Sequence, residues 1–264
     1  MVNTPSEVVT ITETMSLKKY NTPFIKLALL GILGGIYIAM GGYLSLLMGY
    51  GIPGLAESSP ALGKFLAGAF FPLGLILIIL VGGELFTGNT SYLVTGARKG
   101  VIPWSYLPYN WVVVYFTNLI GALFFCYFLL HLTGMTASEP WRSSIIHIAE
   151  YKASMPWHVV FLKGIGANWM VCLAVWLGLS SNEMFGRLVG IWLPVMAFVT
   201  MGYEHSIANM FYIPMGMMTG ADVGIWESIS KNFIPSTLGN IVGGALFVGM
   251  TYSFLYGEKE NKNT

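Results

Sequence analysis

Gly82-Gly83-Glu84-Leu85-Phe86-Thr87-Gly88-Asn89 and Gly202-Tyr203-Glu204-His205-Ser206-Ile207-Ala208-Asn209 share one pattern, 120 residues apart: Gly, any residue, Glu, four residues, Asn. Each sits inside an apolar stretch, at about 61–96 and about 188–220, that is longer than the roughly 20 residues a bilayer crossing needs. A carboxylate and an amide in the middle of such a stretch mark a place where a helix stops and restarts. The stretch that follows each one also repeats. Asn110, Asn118 and Gly121 match Asn232, Asn240 and Gly243 in the spacing N-x7-N-x2-G.

The rest of the chain agrees with a membrane reading. Of 264 residues, 55% are apolar and only 9% charged, against about 25% charged in ordinary globular chains. Mean hydropathy is +0.67. A net charge of +1 leaves no basic face for nucleic acid. Cys126 and Cys172 each lie in an apolar run and read as small core residues, not as a disulfide framework. The runs are continuous rather than alternating, which excludes a β-barrel.

Six apolar stretches are expected to span: about 23–48, 61–96, 107–132, 156–179, 188–220 and 233–256. The expected fold is an all-α membrane protein with six transmembrane helices, the second and fifth broken. Residues 1–22 form a polar N-terminal segment with no apolar core of a cleaved signal, 23–256 the membrane domain, and 257–264 a C-terminal tail. With both termini cytoplasmic, Lys18, Lys19, Lys26, Arg98, Lys99, Arg187, Lys259 and Lys262 lie inside, eight against the four of Lys64, Arg142, Lys152 and Lys231 outside. The connection at about 134–155 then faces outward and is the one loop large enough to wall a vestibule.

Three spans per repeat is an odd number, so the repeats, about 23–133 and 154–256, must lie in opposite orientations. Inverted repeats with broken helices recur in solute pathways. Each half-helix start carries unpaired N–H groups and a partial positive charge, suited to an anion. Glu84 and Glu204 are expected to cap the restarting helices, with Asn89 and Asn209 structural beside them. Asn110, Asn118, Asn232 and Asn240 read as hydrogen-bonding glue between helices, and Gly31/Gly35 and Gly239/Gly243 as close helix contacts.

His205 does not fit a scaffold role so readily. His131, His147 and His158 fall at the outer interface or its loop, whereas His205 sits mid-stretch beside a break, where ionisable groups usually face a functional cavity. No second His stands four residues on, and no Cys or His cluster accompanies it, so neither a metal nor a cofactor is expected. A proton-donor role near neutral pH is the natural expectation.

FTGNT (Phe86–Thr90), KGIGANWMVCLAVW (Lys163–Trp176), GYEHSIANMF (Gly202–Phe211) and TLGNIVGG (Thr237–Gly244) resemble the signatures of the formate/nitrite transporter family, and the resemblance runs over roughly residues 18–256. It implies a homopentamer of aquaporin-like six-helix protomers, each with its own pore, passing formate, nitrite or hydrosulfide. Thr87 then corresponds to the family's pore threonine facing His205, and Asn168 to the asparagine of the same centre. Phe71, Leu75, Leu85, Val171 and Phe198 correspond to apolar constrictions. Lys152 corresponds to a vestibule lysine that draws anions inward, and Thr12–Lys19 to an amphipathic N-terminal helix.

A bare carboxylate-sized ion pays heavily to enter a dry apolar ring. The expected mechanism is therefore capture near Lys152 and the half-helix starts, then neutralisation by a proton supplied through His205, so that formate and protons are the partners. Nitrite and hydrosulfide are the alternatives within the family. A neutral-solute channel of the aquaporin type is the alternative of another class, although neither break carries Asn-Pro-Ala. No nucleophile–base set or G-x-S-x-G supports an enzyme.

Overall fold

The computed structural model describes residues 2–257; the expected tail at 257–264, with Lys259 and Lys262, lies outside the described residues except for Gly257. Among the described residues the chain is helical throughout, with a single isolated bridge between Val2 and Ser181. The helix α1 spans Pro5–Tyr20, longer than the Thr12–Lys19 expected. Its start is fixed by a capping box. The Thr4 hydroxyl accepts from the Glu7 N–H, and the Glu7 carboxylate accepts from the Thr4 N–H at 2.6 Å. Val8, Thr12, Ser16 and Lys19 form its buried stripe.

The membrane helices follow the apolar stretches. These are α2 (Phe24–Tyr50), α3 (Pro60–Gly82), α4 (Phe86–Arg98) and α5 (Tyr106–His131). After a connection that contains α6 (Trp141–Ser154) come α7 (Trp157–Ser180), α8 (Met184–Thr200), α9 (Ser206–Thr219) and α10 (Ile225–Tyr256). Five of these, α2, α3, α5, α7 and α10, are long and apolar enough to cross a membrane, while α8 is apolar but has 17 residues. The stretch expected over 188–220 is thus two helices, α8 and α9, with a break at 201–205. The stretch expected over 61–96 is likewise α3 and α4 with a break at 83–85. The last helix starts at Ile225, earlier than the 233 expected, because Asp222-Val223-Gly224 is the only non-helical connector after α9.

The two short helices after the breaks form the centre. Every residue of α4 from Phe86 to Ala97 is buried, and α9 is buried from Ser206 to Ile213. The longer helices stand around them with outward faces of exposed apolar side chains, such as Phe116, Ile120, Leu162 and Leu193. Such faces suit hydrocarbon rather than water.

Close packing of α2 on α5, and of α7 on α10, holds this arrangement. A Cβ at Gly35 would overlap the Asn118 carbonyl, and one at Gly243 would overlap the Ile165 carbonyl. The small-residue pattern thus lets backbones touch at equivalent points of both repeats. Gly88, at the start of α4, is different: nothing lies within 4 Å of a Cβ placed there. Gly35→Leu and Gly243→Leu are expected to destabilise the protein by about 1–3 kcal/mol or more through overpacking. Gly88→Ala should leave the thermal midpoint of the detergent-solubilised protein unchanged, and the three melts together check the packing.

Candidate functional site

A chain that leaves its helix inside an apolar layer must find new partners for its N–H and C=O groups. At the first break Asn118 supplies them. Its side-chain amide donates to the Gly31 carbonyl (2.7 Å) and the Glu84 carbonyl (2.8 Å), while its Oδ1 accepts from the Phe86 N–H (3.0 Å) that opens α4. Asn240 does the same at the second break. It donates to the carbonyls of Gly164 (2.8 Å) and Glu204 (3.0 Å) and accepts from the Ser206 N–H (2.8 Å) that opens α9. The Glu84 N–H reaches the Leu30 carbonyl, and the Glu204 N–H the Lys163 carbonyl.

Glu84 and Glu204 were the expected caps, and the structure corrects this: Asn118 and Asn240 take the first N–H of each half-helix, and the carboxylates turn elsewhere. Both Glu84 oxygens accept from Lys19 Nζ, at 2.7 and 2.8 Å, and one also accepts from Asn89. Glu204 accepts from Lys152 Nζ at 2.8 Å and from Asn209 and Asn232. Asn89 in turn donates to Asn110, and Asn209 to Asn232. Even the aromatic neighbours repeat, with Lys19 5.1 Å from the Tyr92 ring centre and Lys152 5.6 Å from that of Tyr212. Each break is therefore closed on its polar side by a lysine from the short helix that precedes the repeat, α1 or α6. Lys152 is an ion-paired, largely buried cation rather than a free vestibule charge.

The helix starts meet at His205. Its Nδ1 accepts from the Ala208 N–H at 3.0 Å and so caps α9 with its own side chain. An Nδ1 that accepts carries no proton, which leaves the ring hydrogen on Nε2. Nε2 lies 2.9 Å from Thr87 Oγ1. His205 therefore donates to the threonine, whose own hydroxyl hydrogen stays free to turn toward a guest. Asn168 supports this centre from behind: its amide donates to Thr87 O (3.1 Å), Thr90 Oγ1 (2.9 Å) and Asn240 O (2.6 Å). With three acceptors on one NH2 group, Asn168 positions the backbone rather than offering a donor to the cavity.

Phe71, Leu75, Leu85, Val171 and Phe198 all come together with His205 around one small cavity. Its volume is about 10 Å3, at the lower limit for a single water. The Phe198 ring lies 5.9 Å from the rings of both Phe71 and His205. Two further lining residues, Ile38 and Val195, were missed. The repeat itself would have found them, since Ile38 stands 133 residues before Val171 and Val195 stands 120 after Leu75. The same offset of 133 links Lys19 to Lys152, which composition had marked only as an orienting charge.

The fold and the site together define an all-helical membrane protein with two inward half-helices at a constricted, sparsely polar centre. The family model for the formate/nitrite transporter matches residues 6–254. The chain is 38% identical over 268 residues to a probable formate transporter of Methanothermobacter thermautotrophicus, covering 96% of each chain. It superposes on a solved FNT family ion channel with a TM-score of 0.84 at 28% identity, covering 94% of this chain and 98% of that one. A solved structure titled as a pentameric formate channel with formate bound matches at 0.76 and 34% identity, over 89% of this chain and 98% of the other. The chain belongs to the formate/nitrite transporter family, a family of channels and transporters rather than enzymes.

Because a buried pair broken on one side leaves a bare charge, Lys152→Met is expected to destabilise the protein by about 3–5 kcal/mol. Adding Glu204→Gln removes that charge, and the double variant should recover part of the loss in thermal midpoint. A double variant no more stable than Lys152→Met would count against the pairing as the reason for Lys152's placement.

Proposed function

We propose that the protein is a channel for small monovalent weak-acid anions, with formate as the preferred cargo and proton transfer through His205. The observation that carries this is the Thr87–His205 bond, which joins the starts of two half-helices inside an apolar ring. Helix starts place partial positive charge where a passing anion is most poorly solvated. Two hydrogen-bond donors at that point replace part of its lost water. A small planar anion fits the narrow constriction better than a bulkier solute. The printed names of the relatives, formate transporter and formate channel, support the same cargo.

The geometry sets a condition on the proton step. A second proton on the imidazole can go only to Nδ1, and there it faces the Ala208 N–H, donor against donor. His205 therefore takes up that proton with the Ala208 bond open. It then passes its Nε2 hydrogen to Thr87 Oγ1 as the threonine's own hydrogen moves to the anion. The weak acid crosses the ring uncharged, so that flux follows both the substrate gradient and the proton gradient.

The proposed assembly is a homopentamer of six-span, aquaporin-like protomers, with α3 and α4 counted as the second span and α8 and α9 as the fifth. The pentameric solved relative supports it. The excess of Lys and Arg on the face that carries α1 supports cytoplasmic termini in a cytoplasmic membrane.

The test is uptake into liposomes holding the purified protein, with formate, nitrite, hydrosulfide, chloride and glycerol in parallel. Formate uptake should be fastest and should rise with an inward proton gradient, while glycerol stays out. His205→Asn keeps an oxygen that can cap Ala208 but removes titration. In that variant the gradient should no longer stimulate uptake, although the oligomer survives. Equal stimulation in parent and variant would remove His205 from the proton path, and glycerol entry would point to a neutral-solute channel instead.

A further inference from the structure

The largest recess of the molecule is not at its centre. A groove of about 1020 Å3 runs between α5 and α10, with residues of α9 along part of it. Its walls repeat residue for residue. Val112, Tyr115 and Phe116 on α5 lie opposite Ile234, Thr237 and Leu238 on α10, each pair 122 residues apart like Asn110 and Asn232. Thr237 donates to the Tyr115 hydroxyl at 3.0 Å and ties the two walls together. Equivalent faces of the two repeats thus meet along this seam, and the seam lies on the axis that exchanges them.

That placement decides what can cover it. In a ring of identical protomers each contact joins one flank of a protomer to the other flank of the next. The axis of an inverted repeat exchanges its flanks, so a groove on that axis belongs to neither. It faces the rim or the middle of the ring, where hydrocarbon meets it. This step rests on the pentameric reading given above. The dimensions agree. Along α5 the groove runs from Pro108 to Leu123, about 22 Å at 1.5 Å per residue, which gives a mean cross-section of about 45 Å2. A partner helix, about 10–12 Å across with its side chains, needs about twice that. Extended hydrocarbon chains do not.

The groove is also uneven along its length. Met210, Pro214, Met217 and Met218 of α9 line only the half nearer Ile225, whereas α4 contributes Phe86 alone to the other half. Methionine side chains adapt to an irregular apolar guest. We propose that this groove is a binding site for the acyl chains of a phospholipid, which enter from the leaflet at the Ile225 end.

The test is native mass spectrometry of the pentamer released from vesicles of dioleoyl phosphatidylcholine. The parent should retain lipid adducts, and Val112→Trp with Leu238→Trp, which fills the groove, should lose more than half of them while remaining pentameric and active in formate uptake. Equal adducts in both would overturn the site. A filled variant that falls to monomers would show that a neighbouring chain occupies the groove, and would overturn it too. A monomeric parent would instead remove the ring reading, and the adduct comparison would still decide the site. Should the Trp pair not fold, a fluorophore on Leu238→Cys in brominated phosphatidylcholine keeps the question answerable. On dilution into unbrominated vesicles its quenching should fade more slowly than that of a label on Leu193→Cys, on the exposed face of α8. Equal rates would contradict a retained lipid.

Discussion

A backbone that leaves its helix inside a membrane must replace every hydrogen bond it gives up, and here two asparagine side chains do so. Asn118 and Asn240 each bind two carbonyls and one N–H, the complete complement of an amide oxygen and its NH2 group in that setting. An isolated buried donor or acceptor costs about 1–3 kcal/mol. Three groups per break, at two breaks, make these amides the condition for having half-helices at all. Everything at the centre follows from that. The helix starts can point inward only because the chain before them is held, and the lysine–glutamate pairs seal the same breaks on their polar side.

The scaffold is two-fold but the centre is not. Position for position, His205 stands where the first repeat has Leu85, and Thr87 where the second has Ile207. Asn168 likewise stands where the first repeat has Gly35, and Thr90 where the second has Met210. The polar residues of the centre all gather around the start of α4, and their counterparts are apolar or lack a side chain. Symmetry thus supplies two helix starts and a closed apolar ring, and its local failure supplies a single directional donor. The net charge of the outer entrance is small, because Glu204 neutralises Lys152. Attraction for an anion therefore falls to the helix starts more than to a free cation.

Much of this was legible in the residues because the signal is local. A carboxylate and an amide five residues apart in an apolar stretch cannot be ignored, and their repetition gave the breaks, the two repeats and the importance of His205. The constriction residues carry no such signal, since Leu75 or Val171 looks like any packed side chain; only family resemblance singled them out. The pairing of Glu84 with Lys19 and of Glu204 with Lys152 spans 65 and 52 residues. Nothing in the local pattern links such distant partners, so capping, the nearest local role for an acid at a helix start, was the natural error. Asn118 and Asn240 read correctly as glue between helices, but that they glue by capping is a fact of three dimensions.

The claim on which the account turns is that His205 rests as a neutral ring, bare at Nδ1 toward Ala208 and protonated at Nε2 toward Thr87. Solid-state NMR of the protein in lipid bilayers, with nitrogen-labelled histidine and the His205→Asn variant to assign the signal, reads both ring nitrogens directly. The account predicts one pyridine-type nitrogen at Nδ1 and one pyrrole-type nitrogen at Nε2 in the resting protein at neutral pH. A pyrrole-type Nδ1, whether from the opposite tautomer or from a doubly protonated ring, would contradict it.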